Sequence, residues 1–118
     1  MSETPKWSRI TRVENIPLHE GRSVSVDGQE IAIFHLDGGR FLTIENRCPH
    51  KNGPLCDGIV AGAVVVCPLH GRRFDLETGV AVRASEAACV ATYPTRVEDG
   101  IIVVDIAGAG RAFQEPAA

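Results

Sequence analysis

Apolar and polar residues alternate with a period of two over short runs, and helical spacing is almost absent. That period sends successive side chains to opposite faces of a strand, so it commits the chain to sheets. Glu30–Leu36 (EIAIFHL) and Arg40–Glu45 (RFLTIE) flank Asp37-Gly38-Gly39, which predicts a hairpin. Val90–Glu98 (VATYPTRVE) and Ile101–Ile106 (IIVVDI) flank Asp99-Gly100, which predicts a second. Ala63–Cys67 (AVVVC), after the turn residues Ala61-Gly62, is a further strand, and Ser23–Val26 and Ile10–Val13 add two shorter runs. Pro94 lacks a backbone N–H, so it predicts an edge or a bulge in the penultimate strand. Only Ser85–Cys89 has the pattern of a helical turn, with Ser85 as its cap. Short strands separated by Gly and Pro turns indicate an all-β sandwich or barrel-like domain.

At 118 residues the chain has room for one hydrophobic core, so a single domain is expected over residues 1–106. The remainder, 107–118 (AGAGRAFQEPAA), is small-residue and Pro/Gly-rich and is expected to be a flexible tail. The net charge of −3 comes without a basic face, which argues against nucleic-acid binding. No run approaches the roughly 20 apolar residues of a membrane span. MSETPKWSRITRVENI contains no apolar signal-peptide core, so a cytoplasmic protein is expected.

The segment Asn46–Leu69 breaks the regular alternation. It holds two loops, NRCPHKNGPLCDG (46–58) and CPLHGRRF (67–74), joined by one short hairpin. Loops on a rigid β scaffold are where binding chemistry concentrates. Cys48-Pro49-His50 lies in the first, and Cys67-Pro68-Leu69-His70 follows sixteen residues later. Thiolates and imidazoles suit zinc or iron, and one Cys and one His from each loop make four ligands. Zinc pairs usually read C-x2–4-C and H-x3–5-H, whereas here each pair mixes Cys with His. Mixed pairs suit a two-iron cluster with the cysteines on one iron and the histidines on the other. A Cys₂His₂ zinc site holding a β domain is the competing reading.

Gly53, Gly58 and Gly71 would let backbone approach a bound group closely, and Pro49 and Pro68 would stiffen the loops. Between Arg47 and Arg73, four basic residues (Arg47, Lys51, Arg72, Arg73) face one acidic residue, Asp57, a local net of +3. Such a basic collar would attract an acidic docking surface. Cys56 and Cys89 match neither ligand pair and are read as free thiols. His19 and His35 are read as surface or satisfied strand histidines. No Ser-His-Asp arrangement is apparent.

With these residues the chain resembles the Rieske 2Fe–2S family over most of its length. The resemblance implies stacked antiparallel sheets with two cluster-binding loops at one tip. It implies one Rieske 2Fe–2S cluster, with Cys48 and Cys67 on one iron and His50 and His70 on the other through Nδ1. Two thiolates and two neutral imidazoles leave the oxidised cluster formally neutral, so an electron enters more readily than into a four-thiolate cluster. Potentials rise accordingly from about −400 mV in plant-type clusters to about −150 mV or above in Rieske centres. High-potential members of the family carry three features missing here. The positions of their inter-loop disulfide are Gly53 and Leu69, their Ser position is Arg72, and their Tyr position is Phe74. The resemblance therefore implies a potential at the low end of the range.

Within that family, the run CPHKNGPLCDGIVAGAVVVCPLHGRRFDLETG followed by ACVATYPTRVEDG looks like the small subunit of assimilatory NAD(P)H nitrite reductases. Pro54-Leu55, Phe74–Gly79 and Cys89–Pro94 are the more specific parts. One departure is Gly71, where that subfamily commonly has Asn or Asp. The likeness implies a large partner subunit carrying FAD, a 4Fe–4S cluster and sirohaem, where nitrite becomes ammonium. This chain has neither a dinucleotide fingerprint nor sirohaem-site cysteines, so it is not expected to be catalytic alone. The alternative is a stand-alone Rieske ferredoxin supplying electrons to an aromatic-ring dioxygenase.

Overall fold

A computed structural model describes residues 7–47, 54–68, 71–82 and 90–108. Ten strands run through them: β1 (Trp7–Arg12), β2 (Gly21–Val26), β3 (Gln29–Leu36), β4 (Arg40–Glu45), β5 (Ile59–Ala61), β6 (Val64–Val66), β7 (Arg73–Asp75), β8 (Thr92–Tyr93), β9 (Thr95–Glu98) and β10 (Ile101–Asp105). Among the described residues, helical structure is confined to four short 3-10 turns. None of it is long and apolar enough to cross a membrane. The fold is all-β, as the alternation requires.

The strands form three antiparallel sheets, ordered β2-β3-β4-β8, β1-β10-β9 and β5-β6-β7. The four-stranded sheet lies between the other two, and β3 shows why. Its Ala32, Phe34 and Leu36 belong to one apolar cluster, with Leu55, Val65, Phe74 and Leu76 from the β5–β7 side. Its Ile31 and Ile33 belong to a second cluster, with Ile102 and Val104 of β10. A strand covered on both faces must be apolar at odd and even positions alike, which is what EIAIFHL provides. Burying each such large side chain contributes roughly 1.5–3 kcal/mol.

The two predicted hairpins form. β3 and β4 pair from Ile31↔Glu45 to Leu36↔Arg40, and β9 and β10 from Thr95↔Val104 to Glu98↔Ile101. A third hairpin, β2–β3, turns at Asp27-Gly28. Val90–Glu98, however, is not one strand. Pro94 divides it, so that Thr92 and Tyr93 pair with β4 while Thr95–Glu98 pair with β10. Without an N–H, Pro94 cannot continue a ladder, and the chain changes sheets there. Its carbonyl still accepts from Asp105 N at 3.0 Å. Thr95 Oγ1 donates to Thr43 Oγ1 at 2.9 Å and ties the two sheets together beside that crossing.

The expected second loop, 67–74, is shorter than read from sequence, because Arg73 and Phe74 begin β7 and pair with Val66 and Val65. The helical turn expected at Ser85–Cys89 lies outside the described residues. The last described turn, Ile106–Gly108, overlaps the start of the expected tail, and Ala107 N donates to Asp105 Oδ1 at 3.1 Å.

Candidate metal centre

Of the four expected ligands, Cys67 is described, while Cys48, His50 and His70 lie outside the described residues. Cys67 follows β6 and repeats the inward direction of Val65, two residues earlier on the same strand face. It is 2% exposed, makes no disulfide, and packs in the cluster that contains Leu55, Val65 and Phe74. Backbone hydrogen bonds among the described residues close its loop. Cys67 N donates to Arg72 O at 2.7 Å, and Gly71 N donates to Cys67 O at 3.0 Å. Gly71 has a φ of 73°, a left-handed turn that suits glycine and re-aims the chain into β7. A buried thiol therefore sits at the root of a tight hairpin loop.

The first loop leaves β4 through Asn46 and Arg47 and returns through Pro54 and the 3-10 turn Leu55–Asp57. Asn46 is a buried polar residue, 7% exposed, and its Oδ1 accepts from Cys56 N at 2.8 Å. Its backbone N donates to Glu30 O at 3.0 Å, which anchors the exit of β4 to β3. Next to it, Glu45 N donates to Ala91 O at 2.9 Å, and Glu45 Oε1 accepts from Ala91 N at 3.0 Å. Leu55 on the return is fully buried in the same cluster as Cys67. The roots of both loops thus stand on one core. Sequence reasoning missed Asn46, because no motif marks a buried loop-end amide.

Around these roots the remaining expectations divide. Cys56 is a half-buried free thiol, and its Sγ donates to Asp57 Oδ1 at 3.8 Å. Burial pushes this thiol up from its ordinary pKa, and the Asp57 charge adds to the rise. Cys89 and Gly53 lie outside the described residues. Gly58 is required by space: a Cβ there would stand 2.3 Å from Val66 O. His19 is exposed, with Nε2 2.8 Å from Asp37 Oδ1. His35 bonds Ile16 O through Nδ1 at 2.8 Å and stacks on Phe41 at 4.3 Å. Both are surface or satisfied strand histidines, as expected. In the basic collar Arg73 is exposed, and Arg47 pairs with Glu45 at 3.2 Å.

A buried, unbridged Cys67 at a preformed loop root fits a metal–sulfur group, since a soft thiolate held in apolar surroundings is the donor such a group takes. The profile of the Rieske-like 2Fe–2S domain matches residues 6–105. The chain belongs to that family, which carries one Rieske 2Fe–2S cluster and works in electron transfer. It is 33% identical over 103 residues to the ferredoxin component of a naphthalene 1,2-dioxygenase system of Pseudomonas aeruginosa, covering 87% of this chain and 98% of that one. It is 38% identical to the ferredoxin subunit of a 3-phenylpropionate/cinnamic acid dioxygenase of Shigella flexneri, over 80% of this chain and 88% of that one. Among solved structures it is similar to one described as an NADH-dependent nitrite reductase small subunit from Mycobacterium tuberculosis. That match has a TM-score of 0.80 and 26% identity, over 86% of this chain and 96% of the other.

Proposed function

We propose that this chain is the cytoplasmic small subunit of an assimilatory NAD(P)H nitrite reductase, relaying electrons beside a large subunit that carries FAD, a 4Fe–4S cluster and sirohaem. Cys48 and Cys67 would hold one iron of the cluster, and His50 and His70 the other through Nδ1. When bound, the cluster accepts and gives up one electron at a time.

The chain's own residues root that site. Cys67 offers a buried thiol, the Cys67–Arg72 loop is closed by backbone, and Asn46 ties down the ends of the other loop. The basic residues around the loops would orient an acidic partner surface.

One observation carries the nitrite reading. The blocks Pro54-Leu55, Phe74–Gly79 and Cys89–Pro94, which resemble that subfamily, are distant in sequence. Yet Leu55, Phe74, Leu76 and Val90 pack in a single apolar cluster, so the likeness extends to one cooperative unit. The 0.80 TM-score to the Mycobacterium tuberculosis chain supports it.

A second reading, a ferredoxin feeding an aromatic-ring dioxygenase, is favoured by the 33% and 38% identities to such ferredoxins. Reconstitution separates the two. Alone, the chain should turn over no nitrite, and with the nitrite reductase large subunit encoded in the same genome it should restore NAD(P)H-dependent nitrite loss. If it instead supports a ring dioxygenase as well as that enzyme's own ferredoxin does, and leaves nitrite loss unchanged, the second reading replaces the first.

A further inference from the structure

Strands β5 and β6 are apolar on both faces, yet the apolar clusters of the described residues cover only one of them. Residues opposite each other in an antiparallel ladder point the same way. Val60, Val65 and Phe74 form the inward row, and Val65 and Phe74 are fully buried in the cluster that holds Leu55 and Leu76. The outward rows are Ile59–Val66–Arg73 and Ala61–Val64–Asp75. An antiparallel sheet with one solvated face ordinarily alternates apolar-in with polar-out. Here Ile59, Ala61, Val64 and Val66 all point outward, and none of the four belongs to either apolar cluster. Ile59 is 72% exposed, the most open large apolar side chain among the described residues. β3 is apolar on both faces because a cluster lies against each. The outer face of β5 and β6 has the same composition and stands open at Ile59.

Charge and position define what this face can meet. Arg73 closes the first outward row with an exposed side chain. Arg12, Arg22, Arg40, Arg47 and Arg96 each face a carboxylate, whereas Arg73 has none among the described residues. Asp75, in the second row, already accepts through Oδ1 from Glu77 N at 2.8 Å and Thr78 N at 3.3 Å. An unpaired cation thus stands at the end of an apolar strip. Val66 in that row directly precedes the buried Cys67, so the strip borders the root of the metal site.

We propose that the outer face of β5–β7 docks the large subunit, through a patch on that subunit that sets a carboxylate against Arg73 and an apolar side chain over Ile59 and Val66. The proposal rests on the reading of this chain as a nitrite reductase small subunit. Docking takes the Ile59 side chain out of water, and Arg73 selects an acidic partner and holds it in register. A partner seated there lies beside the strand end that carries Cys67.

The test is calorimetric binding of the holoprotein to the large subunit encoded in the same genome, at low salt and at about 1 M salt, where screening shortens to about 3 Å. The visible spectrum of each variant checks that its cluster is retained. Ile59→Ser should weaken binding about tenfold at both salt concentrations, equivalent to about 1.4 kcal/mol of lost apolar burial. Arg73→Glu should weaken it about tenfold at low salt and stay within about threefold of wild type at high salt. A merely misfolded face would not give that split. Val97→Ser, at an exposed apolar residue of β9 in a different sheet, should bind as wild type.

Wild-type affinity in Ile59→Ser, or in Arg73→Glu at low salt, would overturn the docking face, as would an equal loss in Val97→Ser. If a variant loses its cluster, hydrogen exchange of the wild type decides. Slower exchange at 59–66 on adding the large subunit supports the face, and unchanged exchange there overturns it. Failure of the wild type to bind the large subunit, or binding to a ring-dioxygenase oxygenase in its place, overturns the nitrite reductase reading and the docking face with it. Wild-type binding to the large subunit with both variants unaffected overturns the docking face alone.

Discussion

Gly79 and Val90 lie back to back: Val90 N donates to Gly79 O at 2.8 Å, and a Cβ on Gly79 would stand 2.2 Å from Val90 O. This contact fastens the segment after β7 to the segment entering β8. Its φ of 80° is left-handed, so the position resists a side chain for two separate reasons. Gly28 has nearly the same φ, 79°, with open space around it.

The pair isolates the two effects. Gly28→Ala should cost about 1 kcal/mol, the left-handed penalty partly offset by a less flexible unfolded chain. Gly79→Ala should cost about 3 kcal/mol, because overpacking against a backbone carbonyl adds to the same penalty. Urea denaturation of the two variants measures the difference, and equal losses would refute the close-packing account.

Ligation is tested by composition. Cys48→Ser, His50→Ala, Cys67→Ser and His70→Ala should each abolish the cluster, while Cys56→Ser and Cys89→Ser retain it. Iron and acid-labile sulfide analysis of the six proteins distinguishes them. A normal cluster in any of the first four removes that residue from the ligand set.

Phe74 bears on the potential. It is fully buried and packs in the same cluster as Cys67, at the position where high-potential relatives place a Tyr. A hydroxyl donated to sulfur stabilises the more negative, reduced state, and one such bond amounts to about 1.5–3 kcal/mol gross. About 1.4 kcal/mol corresponds to about 59 mV for a one-electron couple, so Phe74→Tyr should raise the potential by about 60 mV or more. Protein-film voltammetry should place the wild type nearer −150 mV than +300 mV, the approximate limits of Rieske centres. A wild-type value above about +100 mV would contradict the expectation.

Cys56 supplies a pH prediction. Its thiol is pushed above the ordinary value first by burial and then by the Asp57 charge. A raised pKa leaves less thiolate at a given pH, so alkylation should be slower than for a free cysteine and should accelerate only in more alkaline solution. Asp57→Asn removes the charge and should speed the reaction. Iodoacetamide kinetics in a Cys89→Ser background checks this, and unchanged or slower alkylation in Asp57→Asn would contradict it.

The central hairpin was legible because Asp37-Gly38-Gly39 separates two β-rich runs; that EIAIFHL is covered on both faces became visible only when Ala32, Phe34 and Leu36 fell in one cluster and Ile31 and Ile33 in the other. The strand division at Pro94 was half legible, since a missing N–H announces an interruption but not that the chain moves to another sheet. Arg73 and Phe74 read as loop because three residues are too few to show a period, and β7 (Arg73–Asp75) exists through pairing with Val64–Val66. The Asp27-Gly28 turn carried a hairpin signal that its polar surroundings hid. Cys67 was found by spacing, because metal chemistry restricts residue types. Asn46 was not, because a loop-end clamp depends on a contact ten positions away that leaves no local pattern.

The central claim is that two irons share this site in unlike surroundings, one held by Cys48 and Cys67 and the other by His50 and His70. Mössbauer spectroscopy of the ⁵⁷Fe-enriched holoprotein tests it most directly. The oxidised protein should give two distinct quadrupole doublets of equal area, and one-electron reduction should convert only the histidine-bound iron to the ferrous state. A single doublet from equivalent irons, or a protein that binds zinc and takes up no iron, would contradict the account.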